Sequence, residues 1–272
     1  MYNHAVLNEA ALRSGLPRGK MGIELHYFER IDSTNQRAAE LARQGAAEGT
    51  LLVADEQMQG RGRRGRRWHT PPGTALAFSL ILRPAAVQAI SPGGLGLVGA
   101  LGVVEGLHQL GLSPQIKWPN DVLLGGRKVS GVLAEAAWVG ELLDYVVLGI
   151  GVNVREEALP PGKEMDFPAI HVEGELGRRV DRPRLLLDIL LGVDRWYPRL
   201  GKADLLAAWE DRLAFRGGPV ELSDGSAPLR GILLGLTVDG WLRLADQAGE
   251  VVELEPGDHR LRPLAEGRQP GR

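Results

Sequence analysis

Between residues 115 and 154 the chain reads as four strands in close succession, and this run limits its fold more than any other feature. The segments Gln115–Trp118, Asp121–Leu124, Lys128–Ala137 and Tyr145–Val154 are short, apolar and rich in Val, Ile and Leu. Gly125-Gly126 supplies a two-residue hairpin turn between the second and third. A sheet is therefore the centre of the molecule. Further strands are expected at Ile23–Phe28, Thr50–Ala54 and Thr74–Leu82, the last stopped by Pro84.

Helical spacing lies between and after these strands. Ser33 can cap a helix, with Gln36 three residues on as in a capping box. Ala38, Ala39, Leu41 and Ala42 give that helix an apolar side, and Gly45 is its stop. Leu95–Leu110, Arg184–Leu200 and Ala203–Leu213 also read as helical. After Phe215 the pattern changes. Pro219–Leu222, Leu229–Leu236, Trp241–Leu244 and Val251–Leu254 are short strands separated by Asp224-Gly225, Asp239-Gly240 and Ala248-Gly249 turns. The chain thus divides into an N-terminal extension (1–22), a main domain (23–214) and a small all-β module with a polar tail (215–272).

Composition narrows the function classes. The 272 residues contain no cysteine, which removes disulfides, thiol nucleophiles and Cys-based zinc sites. A net charge of -2 argues against a surface that coats nucleic acid. The chain carries neither a signal-peptide core nor an apolar run long enough to span a bilayer, so a soluble, cytoplasmic protein is expected. The six histidines are scattered, without metal-ligand spacing.

Three segments carry chemistry. In Gly60-Arg61-Gly62-Arg63-Arg64-Gly65-Arg66-Arg67-Trp68, five arginines alternate with glycines. Guanidinium forks bind carboxylate and phosphate oxygens, and glycine lets backbone approach a ligand. A solvated basic loop, an Arg-Gly nucleic-acid segment and an anion-binding active-site loop all fit it. Trp68 favours the last, as a ring on which adenine can stack, but also fits a core position. In Lys117-Trp118-Pro119-Asn120-Asp121, Pro119 ends the strand, so Asn120 and Asp121 fall at its end. Asp121 could hold magnesium or polarise an amine, or Asn120 and Asp121 could simply cap a turn. Lys128 opens the next strand, where a lysine is ordinarily an edge-strand gatekeeper. In Gly149-Ile150-Gly151-Val152-Asn153, glycines inside an apolar strand suggest close approach of backbone or ligand.

Taken in order, Asp32-Ser33-Thr34-Asn35, Gln57, the GRGRRGRRW loop, KWPNDVLLGGRKVSGVLAE and GIGVN closely resemble the biotin–protein ligase family. The resemblance implies an α+β fold of the class II aminoacyl-tRNA synthetase/biotin ligase type. A mixed β-sheet with helices packed on one side would be followed by a small SH3-like β-barrel. It implies that ATP and magnesium activate biotin as biotinyl-5′-adenylate, and that biotin then passes to a lysine of a biotin carboxyl carrier protein.

The same resemblance assigns roles. Ser33, Thr34 and Gln57 match residues that hydrogen-bond the biotin head group, and Gly149 and Gly151 line its slot. Arg61, Arg63 and Lys128 match the catalytic cations at the carboxylate and phosphates. Trp68, Lys117, Asn120 and Asn153 match the ATP side, and Asp121 the metal. Only about 22 residues precede the main domain, too few for the DNA-binding domain that some members carry, so no operator binding is expected. After Trp68 this chain has His69-Thr70, where other members often have an aromatic and Ser. Thr70 keeps the hydroxyl, so little consequence is expected. A homodimer is a further expected partner, and no membrane association is expected. Lipoate–protein ligase is the alternative within the fold; a nucleic-acid-binding protein is the alternative outside it.

Overall fold

The computed structural model describes residues 6–16, 19–84, 92–160, 167–224, 227–237, 239–257 and 259–264. Gly225 of the expected Asp224-Gly225 turn and the polar tail from residue 265 lie outside them.

Helix α1 (Glu9–Gly15) leads into β1 (Leu25–Ile31), α2 (Thr34–Arg43), β2 (Leu51–Gln57) and β3 (Ala75–Leu82). Helix α3 (Pro92–Gln109) precedes the predicted run, now β4 (Gln115–Lys117), β5 (Asp121–Leu124), β6 (Arg127–Val139) and β7 (Leu142–Asn153). Helices α4 (Val172–Leu176), α5 (Arg182–Trp196) and α6 (Ala203–Glu210) follow. Strands β1 to β7 form one sheet in the order β1-β2-β3-β7-β6-β5-β4. Only β1 and β2 pair in parallel, so the sheet is mixed, as expected.

Alternation along the strands decides what each face does. Leu76, Phe78 and Leu80 of β3 and Val146, Leu148 and Ile150 of β7 join the core shared with α3 and α5. Helix α3 is apolar all round, which suits a helix buried between sheet and α5. The opposite face is only part covered: Leu52, Ile81, Tyr145 and Val147 pack under Ala38 and Ala42 of α2. The N-terminal segment, read from sequence as an extension, adds to the core, with Leu7, Leu12 and Met21 fully buried.

The C-terminal module is a five-stranded antiparallel sheet: β8 (Pro219–Ser223), β9 (Leu229–Leu236), β10 (Leu242–Asp246), β11 (Val251–Leu254) and β12 (Arg260–Pro263). Its order, β11-β10-β9-β8-β12, returns the last strand to the side of the first. Trp118 joins the two units. Its indole Nε1 donates to the Gly240 carbonyl at 3.1 Å, and its ring stacks on His259 at 5.8 Å.

Candidate active site

The uncovered half of the sheet is floored mostly by small residues. Register places Ala77, Gly151 and Gly131 in one row, and Ser79, Gly149 and Leu133 in the next. Above them lies a cavity of about 810 Å³. Both strand glycines are needed for close approach. A Cβ on Gly151 would stand 2.8 Å from Trp68 Cζ2 and closer still to Nε1, and one on Gly149 would enter the Asn35 amide.

One end of the cavity is neutral and hydrogen-bonding. Ser33 caps α2, its hydroxyl accepting from Gln36 N. Thr34 N–H, in the unsatisfied first turn of that helix, donates to Gln57 Oε1 at 2.8 Å. Gln57 Nε2 makes only a long contact, 3.4 Å, to Thr70 Oγ1. Ser79, fully buried, lies 2.8 Å from Thr34 Oγ1 and 2.6 Å from Asn35 Oδ1.

The other end is cationic. The Arg-Gly loop folds back on itself: Trp68 N donates to Gly60 O, and Gly62 N to Arg66 O, around a single 3-10 turn at Arg63–Gly65. Arg61 pairs with Glu135 at 3.0 Å. Arg63 donates to Asn120 Oδ1 at 3.0 Å and to the Gly257 carbonyl, tying loop, strand end and C-terminal module together. Asn120 Nδ2 also donates to Val132 O at 2.7 Å, so Asn120 is held as well as holding.

Lys128 reaches the site through a bulge. The β5–β6 register slips between Val122 and Leu123, so Lys128 comes out on the face of Gly131 while Val129 enters the core. Its Nζ lies over the Trp68 ring at 5.5 Å. Strand β6 is interior, between β5 and β7, which overturns the edge-gatekeeper reading of Lys128. Asp121 bridges the two lysines: Oδ1 is 2.5 Å from Lys128 Nζ and Oδ2 3.1 Å from Lys117 Nζ. Burial would raise its pKa, but the two ammoniums outweigh burial and hold it down at about 2. Both oxygens of this carboxylate, expected at a metal, are thus engaged by cations. No group of three or more His, Cys, Asp or Glu that could hold a metal occurs among the described residues.

These features combine a polar end, a glycine slot and a cationic end in one enclosure, and comparison with known proteins agrees. A model of the biotin/lipoate A/B protein ligase family matches residues 27–153. The biotin–[acetyl-CoA-carboxylase] ligase of Paracoccus denitrificans is 40% identical over 235 residues, covering 82% of this chain and 95% of that protein. The chain belongs to the biotin protein ligase family. The bifunctional ligase/repressor BirA of Bacillus subtilis is 34% identical, over 89% of this chain and 76% of its own length. The structure of the Aquifex aeolicus biotin protein ligase in complex with biotin and ATP superposes with a TM-score of 0.76 at 31% identity, covering 89% of this chain and all of that one.

All the residues singled out from sequence line this one cavity: Ser33, Thr34, Gln57, Arg61, Arg63, Trp68, Lys117, Asn120, Asp121, Lys128, Gly149, Gly151 and Asn153. Sequence reasoning missed Asn35, Phe167 and His259. Asn35 was inside a quoted motif. Phe167, whose ring lies 4.9 Å from Lys117 Nζ, follows a stretch without pattern. His259, one of the six scattered histidines, lines the cavity from the C-terminal module.

Proposed function

We infer that this chain is an ATP-dependent biotin–protein ligase, which forms biotinyl-5′-adenylate and passes biotin to a lysine of an acceptor protein. The observation that carries this is the polarity of the cavity. Its neutral hydrogen-bonding end suits the ureido head of biotin, and the glycine floor suits a flat ring and chain. Its cationic end suits a carboxylate meeting a triphosphate.

The chemistry asks for positioning rather than a protein nucleophile. A biotin carboxylate oxygen attacks the α-phosphorus, and the bond to pyrophosphate breaks. Arg61, Arg63, Lys117 and Lys128 offset repulsion between the anions. Trp68 and Asn153 bound the nucleotide side, and Asn120 keeps Arg63 in place. The acceptor lysine amine then attacks the acyl carbon, AMP leaves, and the amine loses a proton. Magnesium would arrive on the ATP phosphates and offset their charge: among the described residues no group of three or more His, Cys, Asp or Glu could hold it, and Asp121 is shared by two ammoniums.

Lipoate is the rival substrate. A dithiolane ring would offer no hydrogen bond to the cavity-facing sides of Thr34 Oγ1 and Gln57 Nε2, which a site built to hydrogen-bond penalises strongly. ATP–pyrophosphate exchange tests the choice. Exchange should require biotin and fail with lipoate; the reverse would overturn the reading.

The acceptor we propose is the carrier domain of a biotin-dependent carboxylase. The outer strand β1 offers backbone groups for pairing with that carrier or with a second copy of this chain. The arginine loop turned onto the cavity supports a small-molecule anion site over a nucleic-acid surface. Among the described residues no helix is long and apolar enough to cross a membrane, and a cytoplasmic location belongs to the same proposal.

A further inference from the structure

A chain of hydrogen bonds runs beneath the head-group end and continues past the residues assigned above. Arg61 pairs with Glu135 Oε1 at 3.0 Å, and Asn35 Nδ2 donates to Glu135 Oε2 at 2.8 Å. Ser79 Oγ stands 2.6 Å from Asn35 Oδ1 and 2.8 Å from Thr34 Oγ1. Thr34 Oγ1 is also 3.1 Å from Gln57 Oε1. Counting protons along this chain gives it a direction. A carboxylate paired with a guanidinium only accepts, so Asn35 must turn its NH₂ to Glu135 and its oxygen to Ser79. That oxygen only accepts, so the single Ser79 proton goes to Asn35. The Thr34 proton then has two inward acceptors, Ser79 Oγ and Gln57 Oε1, and none remains for the cavity.

Thr34 therefore faces a ligand as an acceptor. Beside it, Gln57 has its oxygen occupied by Thr34 N–H and offers N–H to the cavity. An acceptor next to a donor is the complement of a ring N–H next to a carbonyl. We propose that Glu135, acting through Asn35 and Ser79, is a positioning residue that sets this polarity and so selects a cyclic urea over rings lacking the N–H. The proposal rests on the biotin reading of the site. Without an acceptor at position 135, Asn35 can flip and Ser79 can donate to Thr34; the Thr34 proton then loses the nearer of its two inward acceptors, keeps only the longer contact to Gln57 Oε1, and can also turn into the cavity.

The test is calorimetric titration with biotin and with its two cyclic carbamate analogues, in each of which one ring N–H is replaced by oxygen. Wild type should bind biotin at least tenfold more tightly than one of the carbamates. Glu135→Gln keeps the acceptor while losing the charge, and should keep that preference. Glu135→Met should lose about tenfold of it. Asn35→Leu, which leaves Glu135 and Arg61 in place, should lose it too and serves if Glu135→Met does not fold. The proposal is overturned if Glu135→Gln behaves like Glu135→Met, since the Arg61 ion pair would then be the cause. It is also overturned if Glu135→Met, or Asn35→Leu in its place, keeps the full preference. A wild-type protein that binds no biotin overturns both this proposal and the functional reading; one that binds biotin with no shift among the variants overturns this proposal alone.

Discussion

Lys128 Nζ and Asp121 Oδ1 lie 2.5 Å apart on neighbouring strands, joined across a β-bulge at the bottom of the cavity. The pair makes stability depend on pH. Asp121 has a native pKa of about 2 against 3.8 as the unperturbed value. Its stabilisation is present above the unfolded value and is lost as pH falls through the native one. Asp121 should therefore contribute about 2 kcal/mol that disappears between about pH 4 and pH 2. Urea unfolding at a series of pH values should show this component in wild type and not in Asp121→Asn. In Lys128→Ala, with one ammonium gone, the native pKa should rise toward the unfolded value, so the component should be smaller and its loss complete at higher pH.

Lys128→Ala should also separate folding from chemistry. In the proposed role its ammonium meets the negative charge that gathers during adenylation, so biotin-dependent pyrophosphate exchange should fall by roughly 10²- to 10³-fold. The change should be in kcat more than in KM for biotin. Near-normal exchange by the folded variant would remove Lys128 from the chemistry.

Gly151→Ala tests the floor of the slot. The new methyl must displace the Trp68 indole, whose buried Nε1 has no hydrogen-bond partner among the described residues. Biotin affinity should drop roughly tenfold or more, about 1.4 kcal/mol for each factor of ten. Tryptophan fluorescence should shift in the free protein. A variant with unchanged affinity and spectrum would mean that the ring yields freely.

Arg63→Ala cuts the link from the loop to Asn120 and to the Gly257 carbonyl. ATP affinity should fall more than biotin affinity. Five clustered positive charges repel one another and substrate anions relieve that repulsion, so each substrate should help the other hold the loop in place. Biotin should bind more tightly with a non-hydrolysable ATP analogue present, by roughly 1–3 kcal/mol. The Arg63→Ala variant should show less of this coupling, and equal affinities with and without the analogue in wild type would refute it.

Gly102→Ala probes the fold away from the site. Its Cβ would meet Val193 Cγ2 at 2.6 Å and the Ile189 carbonyl at 3.1 Å, where α3 crosses α5. Overpacking there should cost roughly 1–3 kcal/mol, read as a lower Tm, with catalysis little changed.

How far the sequence spoke for itself depended on the range of the interaction. The four-strand run, the Ser33 cap and the strand ending at Leu82 were legible because turn chemistry and alternation act over a few residues. Strand β12 was not: Arg260-Leu261-Arg262-Pro263 offers one buried side chain, and its pairing with β8 is a long-range contact. The bulge that turns Lys128 onto the site face was equally hidden, because it is a relation between two strands. Glu135 stood inside a recognised motif, yet its partners Asn35 and Arg61 come from other parts of the chain. The site residues that were legible owed this to the resemblance; their spacing alone left each ambiguous.

The return of β12 to the side of β8 also bears on biosynthesis. His259, Arg260, Leu261 and Arg262 line the cavity, although its glycine floor belongs to a strand made far earlier. A chain emerging from the ribosome would thus fold its sheet and helices well before its enclosure is finished. Synthesis itself would delay the first turnover until the last strand of the module has docked, so that no reactive acyl adenylate is released from a half-built vessel.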